Sequence, residues 1–380
     1  MAPTTIVELR HFLVHPPRGK NLLFVRLETS DGLHGWGECY TQSDRDTQIV
    51  AHLDQLKRYV EGWDARHIKH FTDTAFSDFA ARRGAMDYYS AISGIEQAMW
   101  DLAGKRLGAP VHELLGGACR ARLRVYANGW ARRGSIDELV ASAREVVARG
   151  FTALKFDPVP GPWRTYVTRD VEDEAIARVA AVRDAVGPDV DILVEMHRRL
   201  APMYAIRIGQ AIEQFRPYWF EEPVLAENVK ALAEARRSIP IPVVTGEELY
   251  TKLEFRDVFE QSAADIINPD VCSVGGILEL KEIAAMAEPY FVAVSPHNNS
   301  TTMGLAATLN AGAVMPNFII TEYFVNLEEF GREVADRPFE VVDGFIALPD
   351  RPGLGIDLDV DALERHPYEP FPPRTLALPA

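Results

Sequence analysis

Apolar runs and helical segments alternate along the chain from residue 124 onward. Short apolar runs, which predict strands, lie at 124–130, 153–157, 191–197, 218–222, 242–247, 265–271, 291–297 and 318–324. Helical stretches separate them at 136–149, 173–186, 203–215, 228–237, 251–262, 277–288 and 302–314. Because strands that alternate with helices form βα units, this pattern predicts an α/β fold, a modified TIM barrel of the (β/α)7β type.

The first ~120 residues do not follow this rhythm. Residues 5–14 and 21–29 alternate like antiparallel strands, and a third strand is predicted at 33–38. Helices are predicted at 47–59 and 90–107, the second closed by a following glycine and proline. This part of the chain is therefore predicted to be an α+β module.

Three segments, separated by two boundaries, follow from these changes of pattern. We expect residues 1–122 to form an α+β capping domain and residues 123–335 to form the catalytic barrel. Residues 336–380 are rich in Pro and Gly and have no helical period. This last segment is expected to return to the capping domain.

Three glutamates end successive apolar runs at a constant interval of 26 residues: Glu195, Glu221 and Glu247. An equal period at strand ends indicates that the side chains meet at one mouth of the barrel. Three carboxylates held together repel unless positive charge lies among them. Because the ligands are hard oxygens, we expect a divalent cation of the Mg²⁺ type rather than zinc.

Composition and charge narrow the classes of function. The formal net charge of −15 argues against nucleic acid, which requires a basic face, but leaves a small carboxylate substrate possible if a metal binds it. No apolar run approaches the roughly 18 residues of a membrane span, and the N-terminus lacks the pattern of a signal peptide. Three widely spaced cysteines, Cys39, Cys119 and Cys272, are expected to be buried thiols, which favours the cytoplasm.

The strand ends, together with SAISGIEQAMWDLAGK (90–105) and PDRPGLGIDLD (349–359), resemble the enolase superfamily, mandelate racemase subgroup. The resemblance covers essentially the whole chain. It implies a capping domain over a modified TIM barrel, bound Mg²⁺ and removal of a proton next to a carboxylate. Within the subgroup the chain is most similar to the galactonate dehydratase-like sugar-acid dehydratases, and a homo-oligomer is implied as well.

The resemblance also implies roles for individual residues. The metal ligands are the three glutamates at the 26-residue interval. The implied catalytic residues are His297, Asp270, His197, Glu322 and Lys155. Two positions depart from the subgroup, because the first ligand is Glu195 where aspartate is usual, and KFD places Asp157 where racemases carry a second lysine. The second departure weakens the case for a racemase, because the second lysine that serves as base in racemases is missing.

Strand geometry gives these residues a physical arrangement. Residues two apart along a strand share a face, so Glu195 and His197 should both point to the mouth, as should Lys155 and Asp157. Asp157 could bind substrate or be the ion-pair partner of Lys155. The third and seventh strands lie opposite each other, so His197 and His297 would flank a substrate.

Acid–base chemistry then gives each group a task. One histidine can remove a proton while the other delivers one, as loss of water requires. Asp270 would fix the tautomer of His297, and Glu322 could share a proton with the substrate carboxylate. The alternative to a catalytic role is that His197, with the two arginines that follow it, belongs to a solvated basic loop.

The leading hypothesis is a Mg²⁺-dependent dehydratase of an aldonate such as galactonate or gluconate. It would form an enediolate stabilised by the metal and yield a 2-keto-3-deoxy acid. A racemase, epimerase or cycloisomerase acting through the same enediolate is the second hypothesis. A non-catalytic barrel that binds its ligand as a sensor is the third.

Specificity is expected from loops of the capping domain, residues 15–20 and 40–46, closing over the barrel mouth. Arg18 and Tyr40 are the candidate substrate contacts there. The pair Gly275–Gly276 resembles a phosphate loop only superficially, and we expect it to begin a barrel helix.

Overall fold

The computed structural model describes residues 4–42, 44–78, 84–131, 134–159, 165–300 and 302–373. The chain opens with an antiparallel sheet of three strands in sequential order, β1 (Ile6–Val14), β2 (Leu22–Thr29) and β3 (His34–Cys39). Buried side chains of β1 lie on both faces of the sheet, because Ile6 and Leu9 belong to one hydrophobic cluster and Phe12 and Val14 to another that includes barrel residues. The predicted meander is confirmed.

Four helices accompany this sheet and complete the capping domain: α1 (Asp46–Val60), α2 (Ile68–Ser77), α3 (Met86–Leu107) and α4 (Val111–Leu114). Nearly every residue of α3 from Ser90 to Leu102 is buried, because the helix packs on β3 on one side and meets the barrel on the other. Helix α2 was not predicted. Its apolar side chains are few, and only three of its ten residues are buried.

Glycine lets α3 lie close against β3. A β-carbon added at Gly37 would lie 2.0 Å from the carbonyl oxygen of Gly94, and one added at Gly94 would lie 2.6 Å from the Cys39 sulfur. No real β-carbon tolerates such distances, so helix and strand backbones approach each other only because both residues lack one. The contact fixes β3 relative to α3.

Gly37→Ala is expected to destabilise the capping domain by about 1–3 kcal/mol or more, because the new methyl group must push α3 away from β3. The midpoint of thermal unfolding, followed by circular dichroism at 222 nm, should fall accordingly. A variant that unfolds with the wild-type midpoint would contradict the close approach.

The second sheet is the barrel. Its strands are β4 (Arg122–Asn128), β5 (Ala153–Phe156), β6 (Asp191–Glu195), β7 (Trp219–Glu221), β8 (Val243–Thr245), β9 (Ile266–Ile267), β10 (Ala293–Val294) and β11 (Thr321–Phe324). They are parallel, with β11 beside β4, and a parallel bridge between Val294 and Phe318 joins the remaining edges. The connecting helices are α5 (Ile136–Ala148), α6 (Arg169–Val186), α7 (Pro202–Ile212), α8 (Val229–Ser238), α9 (Thr251–Glu260), α10 (Ile277–Ala287) and α11 (Met303–Ala313).

This arrangement confirms the predicted (β/α)7β barrel. Several strands are shorter than predicted, because the chain leaves the ladder before it reaches the candidate site residues. Glu247 lies two residues beyond β8, and Asp270 and His297 each lie three residues beyond β9 and β10. Those side chains therefore stand on loops at the carboxyl end of the barrel, where TIM barrels place their active sites.

The C-terminal segment contacts the capping domain. After α12 (Glu328–Val334), which follows β11, this segment contains β12 (Phe345–Ala347), which pairs with β4, and α13 (Val360–Glu364). The backbone N–H of Leu354 donates to Asp101 of α3, 2.7 Å away, and Asp357 lies 2.8 Å from His34 and 3.0 Å from Lys105. The division of the chain at residues 122 and 335 stays a prediction.

Two further expectations concern exposure. Cys39 and Cys272 are buried thiols as predicted, whereas Cys119 is exposed, so that part of the prediction is wrong. Cys119 lies between α4 and β4, and its sulfur donates to the Ala313 carbonyl oxygen at the surface of the barrel. Among the described residues, no helix is both long and apolar enough to cross a membrane.

Candidate active site

Three glutamates meet at the carboxyl end of the barrel. Glu195 and Glu221 are the last residues of β6 and β7 and pair directly in register, and Glu247 follows β8. One carboxylate oxygen of each lies within 4.8 Å of the others. The strand periodicity therefore brings the predicted triad together.

Lys155, on β5, supplies positive charge to this cluster. Its Nζ lies 2.7 Å from Glu221 and 3.0 Å from Glu322, and the side chain is only 3% exposed. Burial alone would lower the pKa of Lys155, but the charges of Glu221 and Glu322 raise it well above its usual value. Its ammonium group lies within 3.6 Å of Glu195, Glu221 and Glu322, so the geometry favours charge compensation for Lys155.

Glu247 is compensated by Arg198, which follows β6. The Arg198 Nη1 donates to Glu247 Oε1 at 2.6 Å, and its Nε lies 2.9 Å from Glu248. Burial would raise the pKa of Glu247, but Arg198 and His297 lower it strongly. Arg198 is 11% exposed, so the alternative of a solvated basic loop is wrong here.

The triad fits a divalent cation. Glu195 Oε2 is buried and has no hydrogen-bond partner among the described residues, although Lys155 lies 3.6 Å away. Burial and the charge of Glu195 raise the pKa of Glu221 well above its usual value, because two buried carboxylates cannot both ionise cheaply. An oxygen without a partner inside an acidic, oxygen-only cluster suits a hard divalent ion.

His297 and Asp270 form a pair on neighbouring loops. The Nδ1 of His297 lies 2.6 Å from Asp270 Oδ2, and a parallel backbone bridge joins the two residues. Burial would lower the pKa of His297, but Glu322, Glu247 and Asp270 raise it to about 9. The Nε2 atom is directed at Glu322 and Glu247, 3.5 and 3.7 Å away. His297 thus faces the triad with a fixed ring.

Glu322, on β11, is fully buried and surrounded by donors. Its Oε1 accepts from Asn128 at 2.6 Å and lies 3.0 Å from Lys155, and its Oε2 accepts from the backbone N–H of Asn298 at 3.0 Å. These contacts fix the carboxylate beside His297. A role in sharing a proton with a substrate stays a prediction.

A second histidine–aspartate pair lies across the triad. His197 Nδ1 lies 2.9 Å from Asp157 Oδ2, and Arg199 donates to the same oxygen. The prediction that Asp157 pairs with Lys155 is wrong, because Asp157 stands beyond β5 and turns to the loop after β6. Asp157 Oδ1 accepts from the backbone N–H of Val159 at 2.9 Å, which favours a positioning role over direct substrate contact.

His197 points to the barrel mouth because of the backbone conformation of the loop after β6, and not because of the alternation of side chains along a strand. It lies beyond β6 with φ of +48°, followed by Arg198 at +61°. Its backbone N–H donates to Glu195 Oε1 at 2.6 Å. Burial would lower the pKa of His197, but Glu195 and Asp157 raise it above its usual value. About one third of the side chain, 36%, is exposed and available to a ligand.

Of the two predicted substrate contacts in the capping-domain loops, Tyr40 lies at the barrel mouth and Arg18 does not bond to the described site residues. The Tyr40 ring meets His297 edge to face with centroids 5.8 Å apart, so Tyr40 lines the mouth. The Lys20 ammonium lies 4.1 Å from the centre of the Tyr40 ring and donates to the Thr41 carbonyl oxygen. Arg18 is exposed, and in the described part of the chain no hydrogen bond or ion pair joins it to the glutamates or histidines.

Several site residues were not predicted. Arg198 and Arg199 stand next to His197, and two consecutive arginines after a strand-end acid were the available signal. Asn268 and Trp219 donate to Glu221 at 3.0 and 2.8 Å and fix its orientation. Their donor roles carry no sequence signal, since neither residue type is unusual at a strand end.

Comparison with known families agrees with this geometry. Residues 10–116 match the mandelate racemase / muconate lactonizing enzyme N-terminal domain, and residues 138–362 match the family described as enolase C-terminal domain-like. The mandelate racemase/muconate lactonizing enzyme-like protein from Rubrobacter xylanophilus is similar in structure, with a TM-score of 0.89 and 35% identity over 98% of this chain and 99% of that one.

Two curated relatives are similar in sequence. D-galactonate dehydratase from Xanthomonas euvesicatoria is 35% identical over 90% of this chain and 90% of its own length. D-gluconate dehydratase from Thermoproteus tenax is 36% identical over 92% of this chain and 70% of its own length. The barrel, the glutamate triad and these matches show that the chain belongs to the mandelate racemase/muconate lactonizing enzyme family of the enolase superfamily.

Proposed function

We propose that the protein is a Mg²⁺-dependent dehydratase of a sugar acid, converting an aldonate to a 2-keto-3-deoxy acid. One observation carries the proposal: two histidines, His297 and His197, each bonded through Nδ1 to an aspartate, both lie beside the glutamate triad. Elimination of water needs a base and an acid at once. The names of the relatives from Xanthomonas and Thermoproteus support the same class of reaction and substrate.

Glu195, Glu221 and Glu247 would hold the cation. When bound, a divalent ion supplies positive charge that stabilises the negative charge developing on the substrate carboxylate. Lys155 and Arg198 hold the glutamates in place and offset their charge, so the ligand set is ordered before substrate arrives.

The two histidines would divide the proton transfers. His297 Nε2 takes the C2 proton, and the C–H electron pair moves into the carboxylate as an enediolate. The C2–C3 double bond then forms as the C3–O bond breaks, and His197 gives its proton to the departing hydroxyl, which leaves as water. The resulting enol tautomerises to the 2-keto acid.

His197→Asn tests this division. The variant should still exchange the C2 proton with solvent deuterium, because His297 is intact, while dehydration falls roughly 10²–10⁴-fold. Proton NMR in D₂O measures exchange, and semicarbazide measures the keto product. Loss of both activities together would contradict an acid role for His197, and exchange without any keto product in the wild type would indicate a racemase or epimerase instead.

Asp157→Asn should resemble the His197 variant in kind. The neutral amide has a single acceptor oxygen and can present an N–H to the ring instead, so the His197 ring loses its fixed tautomer. We expect dehydration to fall about 10–100-fold with exchange retained, the exchange rate of the same variant serving as its internal control. A rise in KM alone would instead favour direct contact between Asp157 and substrate.

The stereochemistry gives an independent check. His197 follows β6 and His297 follows β10, on opposed sides of the ring of strands. Acid and base on opposite faces predict anti elimination, whereas syn elimination would require His297 to perform both transfers. We further propose galactonate or gluconate as substrate, a cytoplasmic location and a homo-oligomer; dehydration assays over a library of aldonates test the first.

A further inference from the structure

Two buried carboxylates of the capping domain have no part in the mechanism above. Glu38 lies near the end of β3, and Glu96 lies in the middle of α3. Both are almost fully buried, at 2% and 0% exposure. A buried carboxylate is costly unless it makes strong hydrogen bonds, so their partners show what they hold.

Glu38 holds the segment that follows His297. Its Oε2 accepts from the Ser300 hydroxyl at 2.6 Å, the Gly304 backbone N–H at 2.8 Å and the Thr302 hydroxyl at 3.4 Å. Thr302 is the residue before α11, so the Glu38 carboxylate caps the start of the helix that continues from the His297 loop.

Glu96 holds the segment that follows Asp270 in the same way. Its Oε2 accepts from the Ile277 backbone N–H at 2.8 Å, and its Oε1 accepts from the Leu278 backbone N–H at 3.0 Å. These are the first two residues of α10. Gly276 is the residue that immediately precedes α10, in agreement with the prediction that this glycine pair begins a barrel helix. A β-carbon at Gly276 would lie 2.1 Å from the Glu96 carboxylate, so the glycine leaves the space that Glu96 occupies.

Further bonds from the capping domain reach the Asp270 loop. Gln97 Nε2 donates to the carbonyl oxygens of Glu38, at 3.0 Å, and Val271, at 3.2 Å, and so ties β3 to that loop. The backbone N–H of Tyr40 donates to the Cys272 carbonyl oxygen at 3.0 Å. Val271 and Cys272 directly follow Asp270.

We propose that the capping domain positions the His297–Asp270 pair, with Glu38 and Glu96 as the positioning residues. Each acid fixes the helix that follows one member of the pair, and the two loops must keep a register that allows the 2.6 Å bond between His297 and Asp270. A displacement of about 1 Å in a catalytic group can cost on the order of 100-fold in rate. This inference rests on the proposed function, in which His297 is the base.

The rival interpretation is that these acids only bind the two domains together. Asp101, also on α3, offers a matched control, because it is fully buried and accepts on both oxygens. Its Oδ1 accepts from the Leu354 N–H at 2.7 Å, and its Oδ2 accepts from the Trp36 N–H at 2.9 Å. Neither partner belongs to the His297 or the Asp270 loop, so Asp101 is expected to contribute stability without positioning the pair.

The test compares Glu96→Gln with Asp101→Asn. In both variants an amide N–H faces a backbone N–H donor with no acceptor between them, so both should lower the midpoint temperature of thermal unfolding. Only Glu96→Gln should slow C2-proton exchange and dehydration, by about 10–100-fold and in equal proportion, with KM unchanged. Equal rates in the two variants, or a fall that merely tracks the loss of stability, would overturn the proposal.

Glu38 provides a second comparison. All three donors meet one oxygen of Glu38, which an amide oxygen can replace, so Glu38→Gln should keep near wild-type rates. Glu38→Ala removes the acceptor and should slow exchange as Glu96→Gln does; an Ala variant with wild-type exchange would count against the positioning role. If His297→Asn itself retained exchange, the proposed function would fail first, and that result is distinct from either outcome here.

Discussion

Glu221→Gln is expected to abolish dehydration and to weaken Mg²⁺ binding together. Glu221 lies at the centre of the triad, paired in register with Glu195 and fixed by Lys155, Asn268 and Trp219. The substitution removes one negatively charged ligand. It also turns an amide N–H toward Lys155, Asn268 or Trp219, which are themselves donors and bond to a carboxylate oxygen in the wild type. Loss of an outer partner of a metal ligand typically costs ~10–100-fold in metal affinity, so loss of the ligand should cost at least that much. Calorimetric titration with Mg²⁺ measures the affinity.

The neighbouring glutamate supplies the control. Burial raises the pKa of Glu222 to about 8, and its carboxyl oxygens bond to the Gly246 N–H and the Thr245 hydroxyl rather than joining the triad. Glu222→Gln should therefore retain metal affinity and most of the activity. Full activity in chelator-treated enzyme without added metal would show that the triad is not a metal centre.

His297→Asn is expected to stop exchange and dehydration alike, each by at least ~10²–10⁴-fold, because both begin with removal of the C2 proton. Asp270→Asn should act through the same ring, since an amide at 2.6 Å from Nδ1 no longer selects the tautomer that leaves Nε2 free. Mg²⁺ affinity should change little in either variant. Exchange and keto-acid formation are measured side by side.

A buried histidine elsewhere controls for the loss of an imidazole. His112, in α4, bonds to Asn310 and lies outside the barrel mouth. His112→Asn should lower stability and leave both rates near wild type. A His297 variant that exchanges the C2 proton at the wild-type rate would remove His297 from the base role.

The sequence predicted those features that depend on period. Apolar runs alternating with helical segments gave the barrel, and the 26-residue interval brought Glu195, Glu221 and Glu247 into one cluster, because strand ends in a barrel share one rim. The pairing of His297 with Asp270 was implied by the family resemblance, and the structure places the two side chains 2.6 Å apart on adjacent loops.

Features that depend on loop backbone were not predictable in this way. Asp157 was expected to share a face with Lys155, yet it stands past the end of β5, where alternation no longer applies, and pairs with His197 and Arg199. His197 itself sits at positive φ, which no periodic pattern encodes. The compensation of Glu247 by Arg198 likewise depends on that turn.

The return of the C-terminal segment has a consequence for how the protein is made. The capping sheet leaves the ribosome before the barrel, but Asp101 and Leu354, which share a hydrogen bond, are 253 residues apart. At roughly 5–20 residues per second, on the order of tens of seconds separate the synthesis of the two partners. The interval is longer still for Val14, which pairs with Pro367, and for Asn21, which donates to the Glu369 carbonyl oxygen. The capping domain is therefore synthesised before the barrel, but its contacts with the C-terminal segment form only after the barrel has been made.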